Sequence, residues 1–398
     1  MAKTEEALQT PIWQIFLIFL RLGLTSFGGP VAHLGYFRHE FVERRHWLED
    51  HIYADLVALC QFLPGPASSQ VGMGIGLSKA GLRGAVAAWA GFTLPSAFIL
   101  MLFAYGVGAS GPSALSGGWL QGLKIAAVAV VAQALVGMAR QLCPDFARRL
   151  LALCAALIAF LLSGISGQLI ALFLTAICGW LFLPSVSPTS DHQQMFAGSH
   201  RQAVVSNLLF VLLLFGLPFV VAGQHYLELV DSFFRAGALV FGGGHVVLPL
   251  LQAEVVEKGW LSKDLFLAGY GAAQAVPGPL FTFSAYLGAA MGSGYGRMVS
   301  GLVCLLAIFL PSLLLLIGIL PYWDRLRRYA VVRRALLGVN AGVVGLLAAA
   351  FVDPVLTSGI HGFSDLLLAF VAFWLLYSRQ LPAWLVVLCC GIAGAILG

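Results

Sequence analysis

Thirteen apolar runs follow one another along a chain of 398 residues and leave little room for anything else. They lie near 12–36, 52–78, 84–108, 119–140, 147–163, 167–183, 203–222, 228–251, 264–291, 297–320, 333–352, 363–378 and 382–397. About 20 apolar residues cross a bilayer as a helix. Only 10% of the residues are charged and 60% are hydrophobic, whereas about a quarter are charged in a soluble domain. A single soluble core cannot hide that much apolar surface. An ordinary soluble enzyme, a disordered chain and a secreted disulfide scaffold are excluded. The expected fold is an all-α polytopic membrane protein of about 13 transmembrane helices.

The net charge of +5 does not point to nucleic acid, because the basic residues sit in short loops between apolar runs. With the spans counted alternately, fifteen Lys and Arg fall on the side of the amino terminus. Four fall on the other: Arg38, Arg44, Arg45 and Arg297. Basic loops stay in the cytoplasm. The amino terminus is expected inside and the carboxyl terminus in the periplasm of a multi-pass bacterial inner-membrane protein. The stretch from Arg38 to His51 is the exception, and reads either as a solvated connector or as a vestibule. No cleavable signal peptide is expected. The seven cysteines form no C-x-x-C pair and read as small apolar helix residues. No metal or other cofactor is called for.

The chain repeats itself. Residues 21–66 contain R-L-G-L-T-S-F-G-G-P, E-F-V-E-R-R-H-W-L and Q-F-L-P-G-P; residues 235–279 contain R-A-G-A-L-V-F-G-G-G, E-V-V-E-K-G-W-L and Q-A-V-P-G-P. Leu94-Pro95-Ser96 returns as Leu310-Pro311-Ser312. Equivalent spans are seven apart, and an odd separation inverts the second copy. The expected organisation is 1–184 as a first repeat of six spans, 185–226 as a polar linker plus a linking span, and 227–398 as an inverted second repeat. Inverted repeats with interrupted helices build many secondary transporters, whose site lies where the breaks meet.

Pro64-Gly65-Pro66 and Pro277-Gly278-Pro279 cannot continue a helix. Broken backbone survives in a membrane only when buried in protein or lining a polar cavity. Ser68 and Ser69 follow one break, Thr282 and Ser284 the other. A half-helix beginning there directs free N–H groups into the cavity, which suits an anion. Phe27-Gly28-Gly29 and Phe241-Gly242-Gly243 offer a second pair of such ends. The bland alternative is a set of kinks in packed helices. Gln61 and Gln274 precede the Pro-Gly-Pro breaks at matching places.

Arg21 and Arg235 stand six residues before each Phe-Gly-Gly and are candidate ligands for an oxyanion; snorkelling to the interface is the alternative. Lys124 is either a further positive ligand or a snorkelling residue. Glu40, Glu43, Glu254 and Glu257 recur as E-x-x-E, read as proton carriers or as connector salt bridges. Asp55 is a further proton-coupling candidate. His33 and His245 follow the glycine breaks without being aligned.

L-T-S-F-G-G-P at 24–30, Q-F-L-P-G-P at 61–66, V-F-G-G-G-H at 240–245 and Q-A-V-P-G-P at 274–279 resemble the long-chain chromate ion transporter family. The resemblance implies thirteen spans in two antiparallel halves, and chromate efflux driven by the membrane potential or a proton gradient, with sulfate associated with some relatives. It also implies that the motif positions are the ones that matter. Gly244 departs from the pattern where the first copy has Pro30.

The expected activity is therefore chromate export by alternating access. Sulfate or oxyanion uptake is the alternative, and a channel or a hydrolase built on Ser166 are remoter ones. The expected partners are chromate, sulfate as a second candidate, the lipid bilayer and a second copy of the chain, with no nucleic acid. No Gly-x-x-x-x-Gly-Lys-Ser/Thr loop is present to drive transport with nucleotide.

Overall fold

A computed structural model describes residues 10–109, 118–162, 164–184, 199–221, 223–241, 243–292, 294, 296–326 and 329–397. The polar linker expected at 185–198 and Gly242 lie outside these residues. The described residues form sixteen α-helices of nine residues or more and no strand. In the first half these are α1 (Ile12–Thr25), α2 (Gly29–Arg38), α3 (Asp50–Phe62), α4 (Ala67–Ala109), α5 (Gly118–Leu142), α6 (Phe146–Leu161) and α7 (Ile165–Phe182). Helix α8 (His200–Val220) follows, between the two halves in sequence. The second half holds α9 (His225–Ala238), α10 (Val247–Val255), α11 (Lys263–Ala275), α12 (Phe283–Met291), α13 (Gly296–Ile319), α14 (Ala330–Ala350), α15 (Phe363–Tyr377) and α16 (Ala383–Leu397). Helices α4, α5, α7, α8, α13 and α14 are long and apolar enough to cross a membrane. The protein is an all-α polytopic membrane protein.

The helices break where the glycines and prolines stand, but the chain does not carry on in the same direction. Phe19 of α1 packs on Phe37 of α2 and on Phe41, with ring centroids 5.6 and 5.0 Å apart. A helix running straight through would separate residues 19 and 37 by about 27 Å at 1.5 Å per residue. The first segment is thus a hairpin with Phe27-Gly28-Gly29 at its tip. The second is also a hairpin: Leu56 of α3 fills the space beside Gly74 of α4, across the tip at 63–66. In the second half, Lys258, just past α10, donates to Ser232 of α9 over 2.7 Å. Tyr286 of α12 donates to the Leu265 carbonyl of α11 over 2.9 Å. Four segments expected as interrupted spans are therefore four hairpins. The physical reason is packing: the aromatic faces of short arms bury against each other and against the long helices.

Each hairpin has both ends on one face of the bundle. Lys79 and Arg45, near the outer ends of the two first-half hairpins, both stand over the Trp47 ring, at 5.8 and 5.7 Å. Beyond Lys79, α4 turns back at Ala80 and Gly81, whose backbone is not helical, and the 82–109 arm runs alongside 67–79. Gly76 and Gly84 touch there through backbone. The second-half hairpins end among other groups: Lys263 pairs with Asp353 at 2.8 Å, and Lys124 of α5 with Asp264 at 2.9 Å.

The halves interlock by exchange. Helix α5 packs on α15 and α16 of the second half, and α14 packs on α6 and α7 of the first. Gly122 lies against the Cys390 backbone and Gly338 against the Thr175 backbone. Small residues at crossings let membrane helices approach this closely. Helix α8 packs on α9 and α13 and is the least buried of the long apolar helices.

Candidate functional site

The hairpin tips of the two halves meet. The Gly65 N–H donates to the Val240 carbonyl over 2.7 Å, and the Gly278 N–H donates to the Ser26 carbonyl over 3.0 Å. Gly65 and Gly278 hold equivalent places in the repeat, as do Ser26 and Val240. The two bonds are one contact made twice, the reciprocity that a two-fold relation produces. Gly65 abuts Ser312 and Gly278 abuts Ser96, again equivalent residues. Both glycines have positive φ, +122° and +101°, a conformation open to glycine and costly for other residues. Pro30 and its counterpart Gly244 also face one another, with Pro30 Cγ 3.5 Å from where a Cβ on Gly244 would stand.

Four helical segments begin at this junction: α2, α4, the turn Gly244–Val246 leading into α10, and the turn Leu280–Thr282 leading into α12. Their first N–H groups have no partner within the helix and carry the positive end of the dipole. Four helices, α1, α3, α9 and α11, end there. The two glycine bonds pair one donor with one acceptor each, Gly65 N–H with the Val240 carbonyl and Gly278 N–H with the Ser26 carbonyl, and leave the other N–H groups of the four helix starts at the junction.

Buried polar atoms without a protein partner gather on these tips and on the helices behind them: Ser26 Oγ, His33 Nε2, Ser69 Oγ, Gln70 Oε1, Gln274 Nε2, Thr93 Oγ1 and Ser312 Oγ. A buried polar group left unpaired costs about 1–3 kcal/mol, so a cluster of them calls for a bound ion or water. In each half a histidine ties the two hairpins together. His33 Nδ1 is 3.3 Å from Ser68 Oγ, and His245 Nδ1 is 2.8 Å from Tyr270 Oη. The two histidines are out of register in sequence but take matching structural roles.

The residues singled out from the sequence fall into two groups. Those of the breaks come together at the tips. Gln70 Nε2 donates to the Pro64 carbonyl over 2.8 Å, Pro66 and Pro279 are buried, and Thr282 Oγ1 donates to the Pro279 carbonyl over 2.8 Å. Ser284 turns its hydroxyl to the Phe281 carbonyl at 2.8 Å. Phe27 packs on Trp384 of α16, 5.7 Å between ring centroids, and Phe241 packs on the main core. Gly28 is exposed, and Gly29, Gly243 and Pro277 are half-buried. Gln61 is exposed on α3, although its equivalent Gln274 is half-buried.

The charged residues form a second group, and all but Arg21, Asp55 and Glu257 are shown held by one another. Arg235 donates to both carboxylate oxygens of Asp231, at 2.8 and 2.6 Å, and its Nε lies 3.9 Å from buried Glu254. Glu254 also pairs with Lys258. Lys124 is held by Asp264. Arg21 is exposed on α1 and has no acidic partner among the described residues. Glu40 is clamped by Arg45 at 2.6 Å and Arg44 at 2.9 Å. Burial pushes its carboxyl up, and the hydrogen bonds from the two arginines outweigh that and hold it below the ordinary range. Glu43 pairs with Arg38 and with His39. Asp55 is half-buried on α3, and Ser166 sits in the first turn of α7.

The sequence names Ser26 only as part of the 24–30 motif, and does not single out Gln70, Thr93, Ser96, Ser312 or Tyr270 as site residues. The recurrence of Leu-Pro-Ser carried a signal for Ser96 and Ser312. The others needed the tertiary contact. Two cavities flank the bundle, of about 430 Å³ beside Phe103, Trp119 and Val276, and about 330 Å³ beside Trp89 and Phe309. Both have apolar walls and do not suit a dianion. A third, of about 170 Å³, is polar.

The chromate transporter family profile matches residues 13–181 and matches again at 227–395. A chromate transport protein of Pseudomonas aeruginosa is 29% identical, covering 98% of this chain and 94% of its own length. An uncharacterized transporter of Methanocaldococcus jannaschii is 27% identical, covering 95% and 92%. A shorter uncharacterized transporter of Bacillus subtilis is 32% identical over 39% of this chain, which is 88% of its own length; a single half thus corresponds to nearly a whole relative. No solved structure matches. The two profile matches together span most of the chain and contain all four hairpin tips, and the chain belongs to the chromate transporter family.

Proposed function

We propose that this protein exports chromate across the bacterial inner membrane by alternating access between its two halves. The observation that carries this is the reciprocal junction at Gly65–Val240 and Gly278–Ser26, ringed by buried polar atoms without partners, hydroxyls and the Gln274 amide N–H among them. Helix starts and hydroxyls hold a tetrahedral dianion through dipoles, and few fixed charges oppose its release. A transport site must bind firmly enough to load and loosely enough to empty. The membrane potential, negative inside, favours outward movement by about 2.3 kcal/mol per charge for each 100 mV. The tips touch in this arrangement, so passage requires them to part.

In this reading the four hairpins are re-entrant and nine helical segments cross: the 82–109 arm of α4, then α5, α6, α7, α8, α13, α14, α15 and α16. The second half is inverted, because its crossings begin five segments after those of the first. The basic residues support the arrangement. With the hairpins folded back, Arg38, Arg44 and Arg45 join the cytoplasmic face, giving sixteen Lys and Arg there against three, Lys258, Lys263 and Arg297, outside. The stretch that breaks the charge rule in a straight-through count obeys it here.

The test is uptake of radiolabelled chromate by energised everted membrane vesicles, with sulfate as competitor. Saturable chromate accumulation that collapses with the membrane potential supports export. Accumulation only in right-side-out vesicles, or of sulfate but not chromate, sinks it.

A further inference from the structure

The polar cavity of about 170 Å³ lies away from the tips, at the seam between the α6–α7 pair of the first half and α10 and α14 of the second. Its polar lining is Gln168, Gln252, Glu257 and Asp353, with the Gly164 backbone. Gln168 is 8% exposed, and its Nε2 donates to the Pro249 carbonyl over 2.9 Å. Its Oε1 is buried and has no partner. Asp353 Oδ1 accepts from both Lys263 Nζ and Thr357 Oγ1, each at 2.8 Å. Glu257 carries no such clamp, unlike its repeat equivalent Glu43, which Arg38 and His39 hold. Its Oε2 stands 3.4 Å from where a Cβ on Gly164 would be.

Gln168 Oε1 and Glu257 are both acceptors while Glu257 is ionised, and Lys263 is already committed. The other donor of the lining, Gln252 Nε2, is turned to the Asp353 carbonyl at 3.5 Å; no donor of the lining meets Gln168 Oε1, and a proton on Glu257 supplies one. We propose that this cavity is a proton-binding site, in which Glu257 takes up a proton from solvent and, as the neutral acid, serves the free Gln168 Oε1.

The surrounding charges agree. Glu257 is exposed as a residue, yet the partial burial of its carboxyl raises it above its ordinary range, and the Asp353 and Glu254 charges add to that, opposed by Lys263. Glu254 is itself neutralised by Lys258 and Arg235. The α6–α7 pair contributes no charged side chain to the lining. The inference does not depend on which ion the tips carry.

The experiment uses the purified full chain in detergent, without any anion substrate. Thermal unfolding is followed against pH for wild type, Glu257→Gln and Gln168→Leu, and the protonated-carboxyl band is read by infrared difference spectroscopy. A raised folded-state pKa means the folded protein binds the proton more tightly than the unfolded chain. Wild-type stability should then fall as pH rises from about 4.3 through the raised value. Glu257→Gln should lose that fall and the infrared band. Gln168→Leu removes the acceptor and should move the midpoint down by about one pH unit. Identical pH profiles for wild type and Glu257→Gln overturn the proposal. Should Glu257→Gln fail to fold, a Gln168→Leu midpoint and infrared band that stay at the wild-type pH overturn it equally.

Discussion

Gly278 donates its backbone N–H to the carbonyl of Ser26, 3.0 Å away and 252 residues earlier in the chain. One comes from a Pro-Gly-Pro break and the other from just before a Phe-Gly-Gly break, in opposite halves. Gly65 and Val240 repeat the bond with the halves exchanged. Each half thus closes the other's open backbone at the place where an unpaired group would be most costly.

The glycines of that junction should tolerate no side chain. Gly65→Ala adds a methyl group against Ser312 at positive φ, and Gly278→Ala places one 2.9 Å from Ser96 Oγ. Left-handed strain of about 1–3 kcal/mol adds to the overlap. Both variants should show a lower Tm and strongly reduced chromate transport in vesicles, with Gly65→Ala the worse. Wild-type transport by Gly65→Ala would show that the tips do not touch as described.

Hairpins and straight-through spans place equivalent loops on opposite faces. In a chain with its seven native cysteines replaced, Glu49→Cys should react with a membrane-impermeant thiol reagent only from the cytoplasm. Ser262→Cys, its counterpart, should react only from the periplasm. Reversed labelling would restore interrupted spans.

The two repeated arginines should behave differently. Arg235 holds Asp231 and approaches buried Glu254, and removing one partner of a buried pair costs about 3–5 kcal/mol. Arg235→Ala should lower Tm and yield sharply, and Asp231→Asn combined with Arg235→Met should recover part of the loss. Arg21→Ala removes an exposed side chain and should leave Tm within a degree or two of wild type; any transport defect it has is then electrostatic. Equal loss of stability in both would contradict the pairing.

Glu40 gives a pH dependence opposite in sign to that of Glu257. Its carboxyl lies below the ordinary range because the hydrogen bonds from Arg45 and Arg44 outweigh burial. The unfolded chain binds that proton more readily. The contribution is present above about pH 4.3 and is lost as pH falls through the lowered value. Glu40→Gln should cost about 1–3 kcal/mol at neutral pH, with the gap to wild type closing in acid. A gap that stays constant from pH 7 down to pH 3 would refute it.

The sequence by itself settled the class and the punctuation of the fold. Apolar runs with few charges permit only helices in lipid, and the helices stop at the Gly and Pro residues that end them, around 27–29, 64–66, 241–243 and 277–279. The duplicated motifs marked the residues that meet at the tips. What the sequence left open was direction. A glycine or proline ends a helix without saying where the next one goes, and an 18-residue separation between Phe19 and Phe37 is compatible with 27 Å or with ring contact. Packing decided that: the arms fold back because Phe37 and Phe41 bury against Phe19, and Tyr286 against the α11 arm. The same holds for charge. Arg21 and Arg235 match in sequence, yet only Arg235 has an aspartate one turn before it and pairs with the glutamate returning across its hairpin; the matching Glu40 is taken by Arg44 and Arg45. Whether a charge is free or paired depends on which chain comes back beside it, and only the tertiary structure specifies that.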